Sequence, residues 1–213
     1  MALSKLPPSF YLRPTVQVAR DLLGKYIVHK FKGKRLVGRI VEVEAYCRND
    51  PASHSYRGQT ERNRVMFWTG GHLYVYFTYG MHFCANVVTR NEGVGEAVLL
   101  RAVEPVDGLK EMMKQRGTTP QEGGGQAGDY GSYRRIANLT NGPAKVCKAF
   151  GIDRRLNGAD LTGNRVFIGE IKNRYEKIKI GASTRVGIVS GQEKMWRFYI
   201  KENPFVSKAK VHP

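Results

Sequence analysis

Four strand-like segments between residues 38 and 105 constrain the fold of this 213-residue chain more than any other feature. Their sequences are GRIVEVEAY from Gly38, LYVYFTY from Leu73, HFCANVVT from His82 and AVLLRAV from Ala97. Apolar residues alternate with polar or aromatic ones, which is the periodicity of strands whose two faces differ. The short turn between the second and third segments indicates antiparallel pairing, so we predict an antiparallel sheet.

Helix-like segments alternate with these strands. Amphipathic helices are predicted over residues 14–23 and 107–116, each followed by a glycine that can end it. A third helix is predicted to begin at Asn141, with Asn141 as its cap and Pro143 in its first turn, and to end at Gly151. Further strands are predicted at residues 25–31, 165–169, 177–181, 185–189 and 196–200.

No shift of composition divides the chain. The length suits one large domain, and a hydrophobic fraction of 41% is ample for a core. Residues 117–133 hold the glycine-rich sequence GGGQAGDYGSY and are expected to form a flexible surface loop without a site. We therefore expect one mixed α/β (α+β) domain over residues 1–213.

The charge balance points to a polyanionic partner. The chain holds 35 Lys and Arg against 18 Asp and Glu, a formal net charge of +17. Nucleic acid is the simplest partner for such a surplus, although a basic protein with no such partner is the alternative. Arg57, Arg62 and Arg64 concentrate positive charge in one predicted loop, where Thr60 is expected to cap a short helix through Phe67.

Cysteine usage and hydropathy bear on the compartment. The three cysteines, Cys47, Cys84 and Cys147, have no spacing typical of a zinc site or a disulfide framework. No apolar run approaches the roughly 18 residues of a membrane span, and the N-terminus has no apolar signal core. We expect an intracellular protein with no membrane partner, in the cytoplasm or nucleoid of a bacterium or the nucleus of a eukaryote.

Two acids and one arginine are the first candidate site residues. Alternation in the first strand places Glu42, Glu44 and Tyr46 on one face, together with Ile40. Such acids are usually the solvated face of a sheet, and that alternative stands unless other residues converge on them. Arg101 interrupts an apolar strand, and a guanidinium in such a place needs a carboxylate partner, for which Glu42 and Glu44 are the candidates.

A tyrosine-rich hairpin is the second candidate feature. A two-residue Gly80-Met81 turn is predicted to join the second and third segments, with Tyr79 and His82 beside the tip. A large aromatic side chain at an exposed tip suggests contact with something flat, whereas a ring folded back onto the sheet is the alternative. Lys145 lies in the first turn of a predicted helix, where a cation is favoured if a phosphate binds at the helix start.

Long ordered segments of the chain resemble the alkyladenine (methylpurine, 3-methyladenine) DNA glycosylase family. The matching segments are IVEVEAY, ASHSYRGQTERNRVMF, LYVYFTYGMHFCANV, LLRAVEP, NGPAK and RVGI, and similarity extends from VARDLLG to NPFVS. The resemblance implies a curved antiparallel sheet flanked by helices, with a protruding β-hairpin that inserts into DNA. It also implies an enzyme that needs no metal or cofactor and leaves an abasic site.

The resemblance assigns roles to individual residues. Glu44 would be the general base, and the attacking water would be held by Glu44, Arg101 and the backbone carbonyl of Val186. The base pocket would be lined by Tyr46, His54 and Tyr76, with Asn86 obstructing the amino group of guanine. Tyr79 would be the intercalating wedge. Residues expected near the DNA backbone or groove are Met81, His82, Thr60, Arg62, Lys145 and Arg154.

These residues suit the removal of a damaged base. The target nucleotide must leave the duplex, and aromatic rings can stack on it, more strongly when an alkylated purine is cationic. A carboxylate can activate water and stabilise an oxocarbenium-like transition state. The expected partner is double-stranded DNA with damaged purines such as 3-methyladenine and 7-methylguanine, with hypoxanthine and ethenoadenine open, and the protein is expected to be a monomer.

Two other readings remain. A non-catalytic protein that binds damaged DNA or structured RNA would need the basic surface and Tyr79 but neither Glu44 nor Arg101. A nuclease would want a metal-binding carboxylate cluster, and a lyase a pocket lysine of lowered pKa; the sequence singles out neither. The chain departs from the family at His82, where an aromatic residue is usual, and in a loop after His54 that is about one residue shorter than the mammalian pattern.

Overall fold

The computed structural model describes residues 2–118, 136–171 and 177–208, and a curled antiparallel sheet dominates them. Within these residues the strands are β1 (Ser4–Lys5), β2 (Tyr26–Phe31), β3 (Lys34–Tyr46), β4 (His72–Thr78), β5 (His82–Thr89), β6 (Glu96–Asp107), β7 (Ala159–Asp160), β8 (Val166–Glu170), β9 (Ile180–Ser183) and β10 (Arg197–Ile200). Their order is β1-β8-β2-β3-β6-β5-β4-β7, and β10 pairs with both β3 and β9. The predicted mixed α/β class with an antiparallel sheet is confirmed.

Helices flank the sheet. They are α1 (Pro8–Tyr11), α2 (Thr15–Leu22), α3 (Leu109–Arg116) and α4 (Pro143–Phe150), and residues 136–140 are also helical. Helix α2 packs against β3 and β6, while α4 packs against α3, β5 and β6. The main apolar core lies between them, with side chains such as Leu22, Ile40, Leu100 and Phe150 fully buried. None of the described helices is long and apolar enough to span a membrane.

The two candidate acids lie in the second half of β3. Its first half pairs with β2 and its second half with β10, while β6 runs along its other side. Glu42 and Glu44 therefore have a strand on each side, and neither has exposed surface (0% each). A solvated sheet face, the alternative reading of these acids, is wrong: Arg197 and Ser207 bond Glu42, and Tyr46 and Val186 bond Glu44.

Two adjacent bulges change the predicted faces. Between β3 and β6 the register runs Ile40 to Val103, Glu42 to Ala102 and Val43 to Leu100, so each strand carries one extra residue. Bulges redirect side chains. Ile40 consequently packs in the main core and not beside Glu42 as predicted.

The tyrosine-rich hairpin forms, but its turn is one residue longer than predicted. Tyr79, Gly80 and Met81 all lie between the paired residues Thr78 and His82. Tyr79 and Gly80 both have positive φ, 50° and 66°, which is the backbone sign of a type I′ turn. Tyr79 therefore lies within the turn itself and not at the end of a strand.

Three local predictions were wrong. Residues 185–189 form no strand, because side chains and not a ladder hold this segment, as described below. Asn141 does not cap α4: Gly142 occupies the cap position and makes no side-chain cap bond. Thr60 does not cap the following helix, which is a single 3-10 turn (Arg64–Phe67) preceded by Asn63. The predicted 117–133 loop lies outside the described residues except for its first two, where Gly117 ends α3 with φ 70°.

Candidate active site

A cavity of about 420 Å³ opens between β3, the β4–β5 hairpin and residues 186–190. This volume falls in the range of ligand pockets. Eight residues singled out from the sequence line it: Glu44, Tyr46, His54, Tyr76, Tyr79, Asn86, Arg101 and Val186. The chain thus brings together residues up to 142 positions apart.

Glu44 borders the cavity as a carboxylate with three partners. Its Oε1 accepts the backbone amide of Val186 at 2.8 Å and faces an Arg101 nitrogen at 3.2 Å. Its Oε2 accepts the Tyr46 hydroxyl at 2.9 Å. Burial and the neighbouring Glu44 raise the pKa of Tyr46 far above its ordinary value, so the tyrosine remains a donor. Val186 was expected to act through its carbonyl; its amide is what contacts Glu44.

Arg101 lies at the bulge of β6 and joins two carboxylates. Its Nε donates to Glu42 at 2.9 Å, and its other end faces Glu44. Both predicted partners are therefore confirmed. Although burial alone would lower the pKa of Arg101, the two carboxylates raise it, so the guanidinium stays charged.

Glu42 is anchored on its other side. Arg197 of β10 donates to it at 2.7 Å, and Ser207 donates both its backbone amide, at 2.6 Å, and its hydroxyl, at 2.7 Å. Burial opposes ionisation, but Arg101, Arg197 and Ser207 outweigh it and hold the pKa of Glu42 below its ordinary value. The result is a row of alternating charges that fixes Arg101 beneath Glu44.

Aromatic rings form the wall of the cavity. The His54 and Tyr76 rings meet edge to face, with centroids 4.4 Å apart. His54 Nδ1 lies 3.0 Å from the Tyr74 hydroxyl, and the Tyr74 and Tyr76 centroids are 5.5 Å apart. Such tilted pairs are favourable ring geometries and leave faces open to a further ring. Tyr74 was not among the predicted residues, although it shares the inward side of β4 with Tyr76.

The charge state of His54 follows from its surroundings. Loss of hydration beside the tyrosines lowers its pKa, and the positive charge of Arg62 lowers it further. His54 is therefore neutral at physiological pH. A neutral imidazole adds no positive charge beside the cavity, which matters if the ligand itself is a cation.

The floor of the cavity combines polar and apolar side chains. The side-chain NH2 of Asn86 donates to the Tyr74 backbone carbonyl at 3.2 Å, so the side-chain oxygen of Asn86 points away from that carbonyl. Cys84 and Leu99 also line the cavity, and neither was predicted to do so. Within the described residues, no group of three or more His, Cys, Asp or Glu side chains is placed to hold a metal ion.

The hairpin tip presents apolar surface beside the cavity mouth. Tyr79 is 85% exposed and Met81 is 70% exposed, so the alternative of a ring folded onto the sheet is wrong. On the other side of the mouth, Val189 is 93% exposed at the tip of residues 186–190. Exposed apolar groups therefore lie on both rims of the cavity mouth.

The remaining predicted DNA contacts lie outside the cavity lining. Thr60, Arg62, His82 and Arg154 are exposed, and Arg62 donates to the Phe77 carbonyl of the hairpin at 3.1 Å. Lys145 is half-buried and donates to Asn138 at 2.5 Å and Asn141 at 2.8 Å.

Four supporting residues could not be found from local pattern. Asp50 and Arg185 form a buried ion pair beside Tyr46, while Arg197 and Ser207 fix Glu42. Arg185 also donates to the Ala45 and Gly191 carbonyls, which is why its segment needs no ladder. Arg197 alone had a signal in the sequence: like Arg101, it lies in a strand-like apolar segment, where a buried arginine needs a carboxylate partner.

Comparison with known proteins identifies the family. The methylpurine-DNA glycosylase (MPG) family model matches residues 9–204. A Carboxydothermus hydrogenoformans protein is 46% identical over 203 residues, 95% of this chain and 98% of that protein. An Alkaliphilus oremlandii protein is 46% identical over 209 residues, 96% and 99% of the two chains.

A third relative comes from Methanoculleus marisnigri and is 46% identical over 205 residues, 95% of this chain and 98% of that protein. All three relatives carry the provisional name 3-methyladenine DNA glycosylase. Both the family model and these relatives span nearly the whole chain, including the cavity residues. The chain therefore belongs to the methylpurine-DNA glycosylase family of DNA-repair hydrolases, which act on N-glycosyl bonds.

Proposed function

We propose that this protein flips an alkylated purine out of double-stranded DNA into the cavity and hydrolyses its N-glycosyl bond with a water activated by Glu44. The observation that carries the proposal is the position of the Glu44 carboxylate, which has three polar partners and lies at the end of a cavity walled by aromatic rings. The enzyme acts as a monomer, in the compartment that holds the cell's DNA, and leaves an abasic site.

Glu44 has the bonding pattern of a base held ready for one water. A carboxylate offers about four lone-pair sites, and here Val186, Arg101 and Tyr46 take three of them. The remaining site is on Oε2. Glu44 has no exposed surface, so the attacking water must reach Oε2 beside the Tyr46 hydroxyl. A small shift of the Tyr46 ring when the substrate binds would open this position.

The water then attacks the anomeric carbon as the base departs. Glu44 accepts its proton and its charge stabilises the oxocarbenium-like transition state. Arg101 and the Val186 amide orient Glu44, and Arg101 is itself held by Glu42. A cationic purine needs no acid to leave, so this arrangement suffices for 3-methyladenine and 7-methylguanine.

The aromatic wall selects the base. Tyr46, His54 and Tyr76 offer ring faces, and stacking on such rings contributes about 1–3 kcal/mol per base. A cationic base gains more from the tyrosine rings than a neutral one does. The neutral state of His54 avoids repelling such a base. Asn86 projects from the floor, where it excludes the exocyclic amine of ordinary guanine.

Tyr79 fills the space left by the extruded base. Its ring is 85% exposed on a turn whose positive φ values hold it away from the sheet. Arg62 braces the hairpin through the Phe77 carbonyl, and Met81 extends the apolar tip. Thr60, His82, Lys145 and Arg154 contribute contacts to the flanking backbone, within an overall charge of +17.

A base-release assay tests the proposal. The protein is incubated with a duplex holding one 7-methylguanine, and the products are separated before and after hot alkali. We expect free 7-methylguanine, an intact strand before alkali and a break at the lesion afterwards, unaffected by EDTA. Bound but unreleased base would favour a non-catalytic binder, and strand cleavage without alkali would favour a nuclease or lyase.

A further inference from the structure

A buried ion pair lies directly behind the ring of Tyr46. The guanidinium carbon of Arg185 is 4.8 Å from the ring centroid, and the described residues that line the cavity include Tyr46 but not Arg185. The ring therefore separates Arg185 from the cavity. Arg185 donates two hydrogen bonds to the carboxylate of Asp50, and both side chains have 0% exposure.

A second cation converges on the same carboxylate. Lys194 Nζ lies 3.7 Å from Asp50 and 4.6 Å from the centroid of the Trp196 ring. Trp196 also stacks with Arg185, at 5.3 Å. One buried acid thus balances two positive charges immediately behind a wall of the cavity.

These charges matter because of what the proposed function brings to the other face of Tyr46. A base stacked there would lie about 3.5 Å from the ring, and so about 8 Å from the guanidinium of Arg185. At that separation, in a partly desolvated site, an unbalanced cation would repel a cationic base and leave a neutral one almost unaffected. Asp50 cancels most of this field.

We propose that Asp50, by neutralising Arg185 beneath Tyr46, sets the preference of the pocket for cationic over neutral purines. The inference rests on the proposed function, since it requires a purine in this cavity. Asp50 touches no reacting atom; it is a specificity residue that acts through Arg185 and the ring of Tyr46.

Asp50→Asn is the direct test because asparagine keeps the shape and the acceptor oxygen that Asp50 offers to Arg185 and to the Ala52 amide. Binding is measured in a Glu44→Gln background, where no turnover is needed, with duplexes holding one 7-methylguanine or one hypoxanthine. The first base is cationic and the second is neutral. We expect Asp50→Asn to lower the affinity ratio of the two duplexes about tenfold.

Two further variants separate this effect from general damage. Asp21→Asn makes the same change of net charge in a partly exposed pair with Arg13, 2.7 Å long, and should leave the ratio unchanged. Asp50→Asn combined with Arg185→Met removes both charges and should restore the ratio, even if overall affinity falls.

An equal loss of affinity for both duplexes in Asp50→Asn would overturn the inference and leave the ion pair a purely structural role. A ratio that stays low in the double variant would also overturn it. Failure of the proposed function is distinguishable, because then the protein with Glu44 intact would release no 7-methylguanine at all.

Discussion

The backbone amide of Val186 donates a 2.8 Å hydrogen bond to Oε1 of Glu44, across 142 positions of sequence. This contact ties residues 186–190, which form one rim of the cavity, to the carboxylate at its end. The donor belongs to the main chain, so no side-chain replacement at Val186 removes it except proline. Orientation of Glu44 therefore depends on where this segment lies.

Replacement of Val186 by proline tests that dependence. Val186→Pro removes the N–H and should slow single-turnover base release at least about tenfold, because Glu44 loses one of three orienting donors. Val186→Ala retains the N–H and should stay within about threefold of the parent rate. Similar rates for the two variants would show that the amide does not position the carboxylate. Urea unfolding of each variant checks that the fold is kept.

Glu42 is predicted to be essential for stability. Glu42→Gln leaves Arg101 and Arg197 buried with one carboxylate fewer, and breaking a buried pair in this way costs about 3–5 kcal/mol. Urea denaturation should show a lower free energy of unfolding by that amount. The matched control is Asp153→Asn, which disrupts a largely solvated pair with Arg155 and should cost much less than Glu42→Gln does. A loss below 1 kcal/mol in Glu42→Gln would contradict the charge row described above.

The free energy of unfolding should depend on pH through the ionisation of the Glu42 carboxylate. The pKa of Glu42 is lowered in the folded state, so its contribution is present above the unfolded value, about 4.3, and is lost as pH falls through the folded value. The difference in unfolding free energy between the parent protein and Glu42→Gln should therefore shrink as pH falls below about 4. A difference that grew with acidity would show that the pKa is shifted the other way.

Tyr79 should matter for duplex DNA and not for folding. Because its side chain is 85% exposed, Tyr79→Ala should change the free energy of unfolding by less than about 0.5 kcal/mol. Base release from a duplex should fall, since nothing fills the gap left by the extruded nucleotide. Release from the same single strand, which has no base stack to repair, should fall much less. Equal losses on both substrates would argue against insertion.

The sequence predicted the parts of the site that lie on regular strands. Alternation along β3 placed Glu44 beside Tyr46, and the cost of burying a guanidinium paired Arg101 with both acids. These inferences hold because strand periodicity can be read from neighbouring residues, and because a buried charge needs a partner of opposite charge wherever that partner lies in the sequence. The resemblance then singled out Val186, which lies in no regular element.

The features that the sequence did not predict depend on contacts between segments that are far apart in the chain. Two compensating bulges moved Ile40 into the core, and nothing in the local pattern signals a one-residue register shift. The burial of Glu42 depends on β10 and Ser207, which are about 155 and 165 positions away. The Asp50–Arg185 pair was missed because Asp50 lies in a loop, and because Arg185 begins a segment that was predicted as a strand and is held by side-chain contacts. The turn at Tyr79 was predicted one residue short because a tyrosine with positive φ is uncommon.

The central claim is that the carboxylate of Glu44 activates the attacking water, and single-turnover base release by Glu44→Gln tests it most directly. Glutamine keeps the size, and its one carbonyl oxygen can still accept from the Val186 amide while its NH2 donates to the Tyr46 hydroxyl, but it cannot take a proton from water. We expect a loss of about 10²–10⁴-fold in the release of 7-methylguanine from a duplex, with DNA affinity within about threefold of the parent. Release at the parent rate would contradict it.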